Sequence, residues 1–449
     1  MNSSNKILIA LFLIALAMRL LLFWPVWLNP EIAYIKGETR GTDEFYYHNA
    51  GIELSRGESF NGDISRVPGY PLYLGVFYKL FSSADPRLPL FIQILATSAL
   101  VLFVAKLASD LFGKYPGIVA GIIYAASPVS ALFADRTTTE PLGSVFYFLS
   151  LYFLHKALQY RGLRDWRPWA IIALAGVVLG FALMVAKVGI YLLYVIPIAL
   201  FLVLWSGFFA PSSARTSVSA LAPLVFFIAG FLIIFPWMAR NETMYGTSFL
   251  FAGNGQNLFY GFAGATLQEA YGLSSKEAEE KLFSIRDESA APLSQKTGDA
   301  AITDLGFSII AEHPFAYAYA HAKSVAKGLF GSPMRGAGYK SQFFGFFEKS
   351  RAVYGVMVGL HLYHIAYFAV YAIMLVFGYA MLWQRRGEVL ARHPVTVILV
   401  LMSLYFIFIY GPMFANGSRY HVIAIPFNAV IAGLAAPSVL HGIKQSLWK

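Results

Sequence analysis

Residues 7–28 read ILIALFLIALAMRLLLFWPVWL, an apolar run holding one charge, Arg19, and preceded by Lys6. At about 1.5 Å of helical rise per residue, such a run crosses a hydrocarbon core of about 30 Å. It is too long for the apolar part of a signal peptide, and no small-residue cleavage site follows it, so it reads as a retained span. Blocks of the same kind recur to the end of the chain. With 58% hydrophobic and 13% charged residues and a mean hydropathy of +0.60, the sequence lies far outside soluble composition. The expected fold is an all-α polytopic membrane protein. A β-barrel would show short alternating segments, and none is visible. The absence of Cys excludes disulfides, thiolate metal sites and Cys nucleophiles.

About ten spans of membrane length follow from the pattern: roughly Ile7–Leu28, Leu88–Phe112, Tyr115–Phe133, Thr139–Tyr160, Trp169–Ala186, Gly189–Ser206, Val218–Met238, Tyr354–Trp383, Thr396–Met413 and His421–Leu440. Lys156, Arg161, Arg164 and Arg167 fill one loop, Arg385, Arg386 and Arg392 another, and Lys444 and Lys449 the tail. With this count all three fall on one side together with the N-terminus, and the positive-inside rule makes that side cytoplasmic. The net charge of +10 is thus a topology signal, and it forms no basic stripe with stacking aromatics, which excludes nucleic acid as a partner. The chain reads as one transmembrane domain, residues 1–449, with two long outward segments, 29–87 and 239–351. In the second, Ser274-Ser275-Lys276-Glu277 has capping-box spacing. It predicts an amphipathic helix to about Asp287, a second over Asp299–His313, and a third from Phe315 to Phe330 after a stop at Pro314. These are too polar to span and are expected to lie on the membrane surface.

The first outward segment carries the chemistry. It holds Thr42-Asp43-Glu44-Phe45-Tyr46-Tyr47-His48, then Arg66-Val67-Pro68-Gly69-Tyr70-Pro71-Leu72. Two carboxylates at a membrane exit are costly unless water or a substrate meets them. As neighbours they cannot address the same atom, so one is the candidate catalytic group and the other its support. Most Asp-Glu pairs are solvated loop residues; the position of this one favours a site. His48 has no second His at ligand spacing. Pro68-Gly69 is a turn and Pro71 a helix opener, delivering Arg66 and Tyr70 to a fixed place ahead of a short interfacial helix over Leu72–Phe81. Asp135-Arg136-Thr137-Thr138-Thr139-Glu140-Pro141 puts Glu140 at the head of a span, where the helix dipole alone would also favour an acid. Lys187, Arg240 and Arg419 each sit at a span end, where a cation is commonly an interfacial anchor. Together with Asp43, Glu44, Asp135 and Glu140 on one face, they suit the head group of an anionic lipid.

The ordered set Asp43-Glu44, Arg66–Leu72, Thr139-Glu140-Pro141-Leu142, Pro236-Trp237 with Arg240-Asn241, Asn254-Gly255 with Asn257-Leu258, and Arg419-Tyr420 with Pro426 resembles the GT-C glycosyltransferases of the protein-O-mannosyltransferase and aminoarabinose-transferase type. The resemblance implies a polyprenyl-phosphate sugar donor, an outward-facing active site in a bacterial or archaeal inner or plasma membrane, and inversion at the anomeric carbon. The acceptor is a hydroxyl on a lipid, glycan or protein. Its catalytic Asp matches Asp43, with Glu44 beside it. Arg66, Tyr70, Asp135 and Glu140 fall to site support, and Lys187, Arg240 and Arg419 to the donor phosphate. A lipid phosphate leaves as a stable anion, so a base is needed and an acid is not. A divalent metal is an alternative to some of the cations, because hard cations take Asp and Glu oxygens, and composition does not decide between them. Two other readings stand beside the enzyme. A flippase of lipid-linked glycans would place ionisable residues mid-span and show repeated halves, and neither is seen apart from Arg19. A non-catalytic assembly factor is the third.

The topology makes a direct prediction. Cysteines introduced at Ser59 and Ser294 react with an impermeant thiol reagent in intact cells, and those at Leu163 and Gly387 do not. Labelling of Leu163→Cys from outside refutes the orientation.

Overall fold

A computed structural model of the protein describes residues 3–34, 43–58, 66–160, 165–205, 215–246, 248–251, 254–288, 295–330, 351–409, 411, 419 and 421–436. Arg161, Arg164, Asn416-Gly417, Tyr420, Lys444 and Lys449 lie outside these residues. All regular structure among the described residues is helical. After α1 (Ser3–Leu28) and a short turn of helix at Pro30–Ala33 come α2 (Asp43–Ser55), α3 (Gly69–Leu80), α4 (Arg87–Phe112), α5 (Lys114–Ala125), α6 (Pro128–Phe133) and α7 (Thr139–Leu158). Then follow α8 (Trp166–Val185), α9 (Leu192–Trp205) and α10 (Arg215–Tyr245). The segment after α10 supplies α11 (Asn254–Gln256) running into a π-helix, Asn257–Ala263, then α12 (Gly264–Tyr271), α13 (Ser275–Glu288), α14 (Gln295–Glu312) and α15 (Pro314–Phe330). The chain returns through α16 (Arg351–Gln384), α17 (Arg386–Arg392), α18 (Val395–Phe408) and α19 (Ile425–Gly433).

This is an all-α polytopic membrane protein. Six helices among the described residues are long and apolar enough to cross a bilayer: Asn5–Leu28, Arg87–Phe112, Trp166–Val185, Lys187–Trp205, Leu221–Tyr245 and Leu362–Gln384. The other four expected spans depart from that simple form. Tyr115–Phe133 is not one helix: it breaks after Ala125, where the Ser127 hydroxyl caps a new start by accepting from Ser130 N at 3.2 Å, with Pro128 at the first position. Pro there lacks only an N–H that the first turn would leave unused. The expected Thr139–Tyr160 span is α7, which carries Glu140, His155 and Lys156. The helix expected over His421–Leu440 is described only as Ile425–Gly433, and the one over Thr396–Met413 as Val395–Phe408. Between α2 and α4, α3 starts at Gly69 rather than at Pro71, since a Pro anywhere in the first turn forfeits no helical hydrogen bond.

The second segment follows its sequence signals closely. Ser274 and Glu277 form the reciprocal capping box, Ser274 N donating to Glu277 Oε2 at 2.8 Å and Glu277 N to Ser274 Oγ at 3.3 Å. The apolar faces of these helices pack on one another: Phe259, Leu267, Leu282, Ile302 and Ile309 make a small core of their own.

In the bundle, α8 packs between α7 and α10. Glycines make this close. A Cβ on Gly176 would stand 2.2 Å from Phe226 O, and one on Gly180 2.7 Å from Gly230 O. In a bilayer, where water drives no helix association, such small-residue contacts carry much of the packing. Gly176→Ala is therefore expected to lower the unfolding midpoint in micelles, at a cost of about 1–3 kcal/mol. Gly387→Ala, where a Cβ meets nothing within 4 Å, leaves it unchanged or raised.

Candidate active site

Asp43 and Glu140 both lie in the first turn of a helix, α2 and α7 respectively, where the dipole favours a negative charge. Arg419 joins them. Its Nε donates to Glu140 Oε1 at 2.8 Å and its Nη1 to Asp43 Oδ2 at 3.1 Å. Arg66, delivered by the turn before α3, donates from Nη2 to the other Asp43 oxygen, Oδ1, at 2.8 Å. Its guanidinium rests on the Tyr46 ring, 4.2 Å from the centroid. Tyr46 is three residues beyond Asp43 on the same helix, so α2 supplies both the acid and the platform that holds its partner.

Depth separates the two carboxylates. The Asp43 side chain is 34% exposed and that of Glu140 is 5%. Asp43 stands at the mouth of the network, and Glu140 lies behind it. Burial opposes the charged form of Asp43, but Arg419 and Arg66 outweigh it and hold the carboxyl below the ordinary aspartate value.

A layer of polar contacts fixes this cluster from behind. Tyr70 is fully buried, and its hydroxyl reaches Gln93 Oε1 at 3.0 Å and Arg136 O at 3.3 Å. Gln93 in turn donates to Ala134 O and Arg136 O at 2.9 and 3.0 Å. The Thr137 hydroxyl shares its proton between Ala33 O and Glu44 O, each at 3.0 Å. The loop 134–138 is thereby tied to the short turn at Pro30–Ala33, to α3, to α4 and to the start of α2. Asp135 and Arg136 are buried beside each other, Oδ1 to Nε 3.7 Å. Thr138 Oγ1, Glu140 Oε2 and His421 Nδ1 are buried with no hydrogen-bond partner among the described residues, a concentration of open polar capacity around one place.

The expected residues thus fall into two groups. Asp43, Arg66, Glu140 and Arg419 touch directly, with Tyr70, Asp135 and Arg136 behind them. Glu44 contributes its carbonyl to Thr137 while its side chain leaves the Asp43 network, as neighbours on a helix must. Lys187 and Arg240 gather around residues 249–251. Lys187 Nζ lies 4.2 Å from the Phe251 ring centroid, and Arg240 stacks on Trp237 at 4.3 Å while donating to Asn241 Oδ1 at 3.1 Å. Trp237 Nε1 and Asn241 Nδ2 hold Leu250 O and Phe249 O at 3.1 and 3.0 Å. Gly69, where a Cβ would stand 2.4 Å from Met184 O, seats the start of α3 against the end of α8, three residues before Lys187. Tyr46, Thr137 and Asn241 stand within quoted motifs but were given no role in the sequence reading, and Gln93 was missed, although an amide inside an apolar span is a readable signal.

The carboxylates do not fit a divalent metal as they stand. Both Asp43 oxygens and one of Glu140 already accept from guanidiniums, and Arg419 occupies the place between them that a cation would take. Among the described residues, no group of three or more His, Asp or Glu converges.

Comparison with known proteins bears on this arrangement. Residues 65–239 match the family model described as dolichyl-phosphate-mannose-protein mannosyltransferase. Over 99% of its length the chain superimposes on the oligosaccharyltransferase AglB of Archaeoglobus fulgidus, solved with an inhibitory peptide and a dolichol-phosphate, with a TM-score of 0.52 and 17% identity. The chain thus shares the fold of this archaeal protein. An Archaeoglobus fulgidus oligosaccharyltransferase in its apo form aligns with a TM-score of 0.55 and 15% identity over 99% of this chain, and in complex with Zn and sulfate with 0.52 and 17% over 97%. The chain covers 51%, 52% and 49% of those three chains, about half their length. A search of curated protein sequences finds no match. Arg66, Tyr70, Asp135, Glu140 and Lys187 lie within the matched segment; Asp43, Arg240 and Arg419 lie outside it.

Removing Arg419 would strand Glu140 in a buried site. Arg419→Met is expected to cost about 3–5 kcal/mol of stability, and Glu140→Gln in the same chain to recover much of it, read from thermal unfolding in micelles. The pH dependence follows from Asp43, whose folded pKa lies below the ordinary 3.8. The stability difference between wild type and Asp43→Asn is full above pH 3.8 and disappears as pH falls through the lowered value.

Proposed function

We propose that the protein transfers a sugar from a polyprenyl-phosphate-linked donor to an acceptor hydroxyl on the outer face of the membrane, with inversion. The observation that carries this reading is a half-exposed carboxylate, Asp43, held by two guanidiniums after the chain leaves its first span. The family description names a dolichyl-phosphate sugar and a protein acceptor, and the archaeal relative was solved with a dolichol-phosphate, which supports the donor class.

The acceptor oxygen attacks the anomeric carbon from the face opposite the phosphate. The carbon–oxygen bond to the phosphate breaks, and its electron pair leaves on the phosphate. The acceptor proton passes to Asp43, the general base. Such a base contributes about two to four powers of ten in rate. Glu44, Arg66, Tyr70, Asp135 and Glu140 hold the base and its surroundings in place. Lys187, Arg240 and Arg419 meet the donor phosphate. An ion pair at about 4 Å is worth about 4 kcal/mol at an effective dielectric near 20, before desolvation. No step needs a metal at this cluster, and dependence on one is decided by assay.

The test is release of polyprenyl phosphate from radiolabelled lipid-linked sugars. Asp43→Asn keeps expression and donor affinity and loses most turnover, by about a hundredfold or more. Glu44→Gln costs less. Lys187→Gln, Arg240→Gln and Arg419→Gln weaken donor affinity, and Arg240→Lys fails as well if its grip is bidentate. Near-normal turnover in Asp43→Asn removes the base. Unchanged donor affinity in all three cation variants removes the phosphate site. Donor movement across the membrane with no release of polyprenyl phosphate would mark a flippase.

A further inference from the structure

At the end of α7 remote from Glu140, about 24 Å along the helix, a second charged cluster has no part in the transfer chemistry. Asp110 on α4 accepts from Lys106 Nζ and Lys156 Nζ, each at 2.7 Å. His155 Nε2 lies 3.4 Å from Asp110 Oδ2 and 2.8 Å from the Gln159 amide nitrogen, and Lys156 Nζ donates to Gln159 Oε1 at 3.4 Å. Two ammonium groups therefore share one carboxylate, and a positive charge is left over.

Beside this cluster a groove of about 550 Å³ opens between α7 and α8, within the size range of ligand sites. Its lining changes along the helix axes. Lys156, Gln159 and Tyr160 stand at the end, and Phe153, Ile171 and Leu174 lie farther in. Tyr160 is 43% exposed and Trp166 72%, and aromatics so placed mark the level of the membrane interface. The groove is polar and cationic at head-group depth and apolar toward the membrane interior. That gradient is the shape of an amphiphile with an anionic head.

We propose that this groove holds one anionic glycerophospholipid of the leaflet away from Asp43. Its phosphate pairs with Lys156 and Gln159, and an acyl chain lies along Phe153, Ile171 and Leu174. Lys156 keeps Asp110 as a partner, so the lipid completes the charge balance of the cluster without breaking it.

Native mass spectrometry of the full chain in detergent tests this, with phosphatidylglycerol and phosphatidylcholine of identical acyl chains titrated in turn. One phosphatidylglycerol is expected to bind about fivefold more tightly than phosphatidylcholine, the preference that one surface lysine gives. Lys156→Gln abolishes the preference and leaves phosphatidylcholine binding as it was. Leu174→Trp fills the apolar part of the groove from an exposed position and weakens both lipids, and it remains informative if Lys156→Gln fails to fold. Lys276→Gln, on a distant exposed lysine, changes neither. Equal binding of the two lipids by wild type, a preference that survives Lys156→Gln, or retention of polyprenyl phosphate in place of the glycerophospholipid each overturns the proposal.

Discussion

The arrangement depends on one guanidinium, that of Arg419 near the end of the chain, placed between two carboxylates from its first third. Glu140 heads a helix of the bundle and is almost wholly buried, and an isolated charge there is expensive to keep. Asp43 opens the helix that follows the first span. Arg419 satisfies an oxygen of each, so the early and late parts of the chain cannot separate without stranding a charge. Buried ion pairs add little net stability over an apolar core of the same volume, but breaking one by removing a partner is costly. The network acts as a fixed point for geometry more than as a source of stability.

That fixed point explains the polar groups packed behind it. Gln93 and Thr137 bind backbone carbonyls, not charges, and their effect is to hold the loop 134–138 at one distance from α2 and α3. Arg66 is held on two sides, by the Tyr46 ring and by Asp43. A carboxylate so restrained presents its exposed edge in one orientation, which a transfer reaction needs more than it needs strong binding. The same two arginines that orient Asp43 also hold its pKa low and make it a weaker base. An anionic donor drawing on these cations would relax that restraint.

The six long apolar helices, the capped helix at Ser275 and the stop before Pro314 were all legible, because they rest on local physics: transfer of apolar length into hydrocarbon, hydroxyl capping and the missing proline N–H. The break between α5 and α6 was less so. Its signal, Ser127-Pro128, is a common helix start hidden inside an apolar run long enough to span without it. The start of α3 was misplaced by two residues because a first-turn proline is tolerated at several positions.

By itself the sequence determined the membrane class, the helical fold and the list of charged residues at span ends, since burying a charge in lipid restricts where such residues can stand. It did not determine which of them meet. Only the tertiary structure decided that Arg419 bridges Asp43 and Glu140 while Lys187 and Arg240 gather around residues 249–251. Pairing across more than 270 positions of chain is set by how the helices pack, through contacts such as Gly176 on Phe226 and Gly69 on Met184, and no local pattern records it.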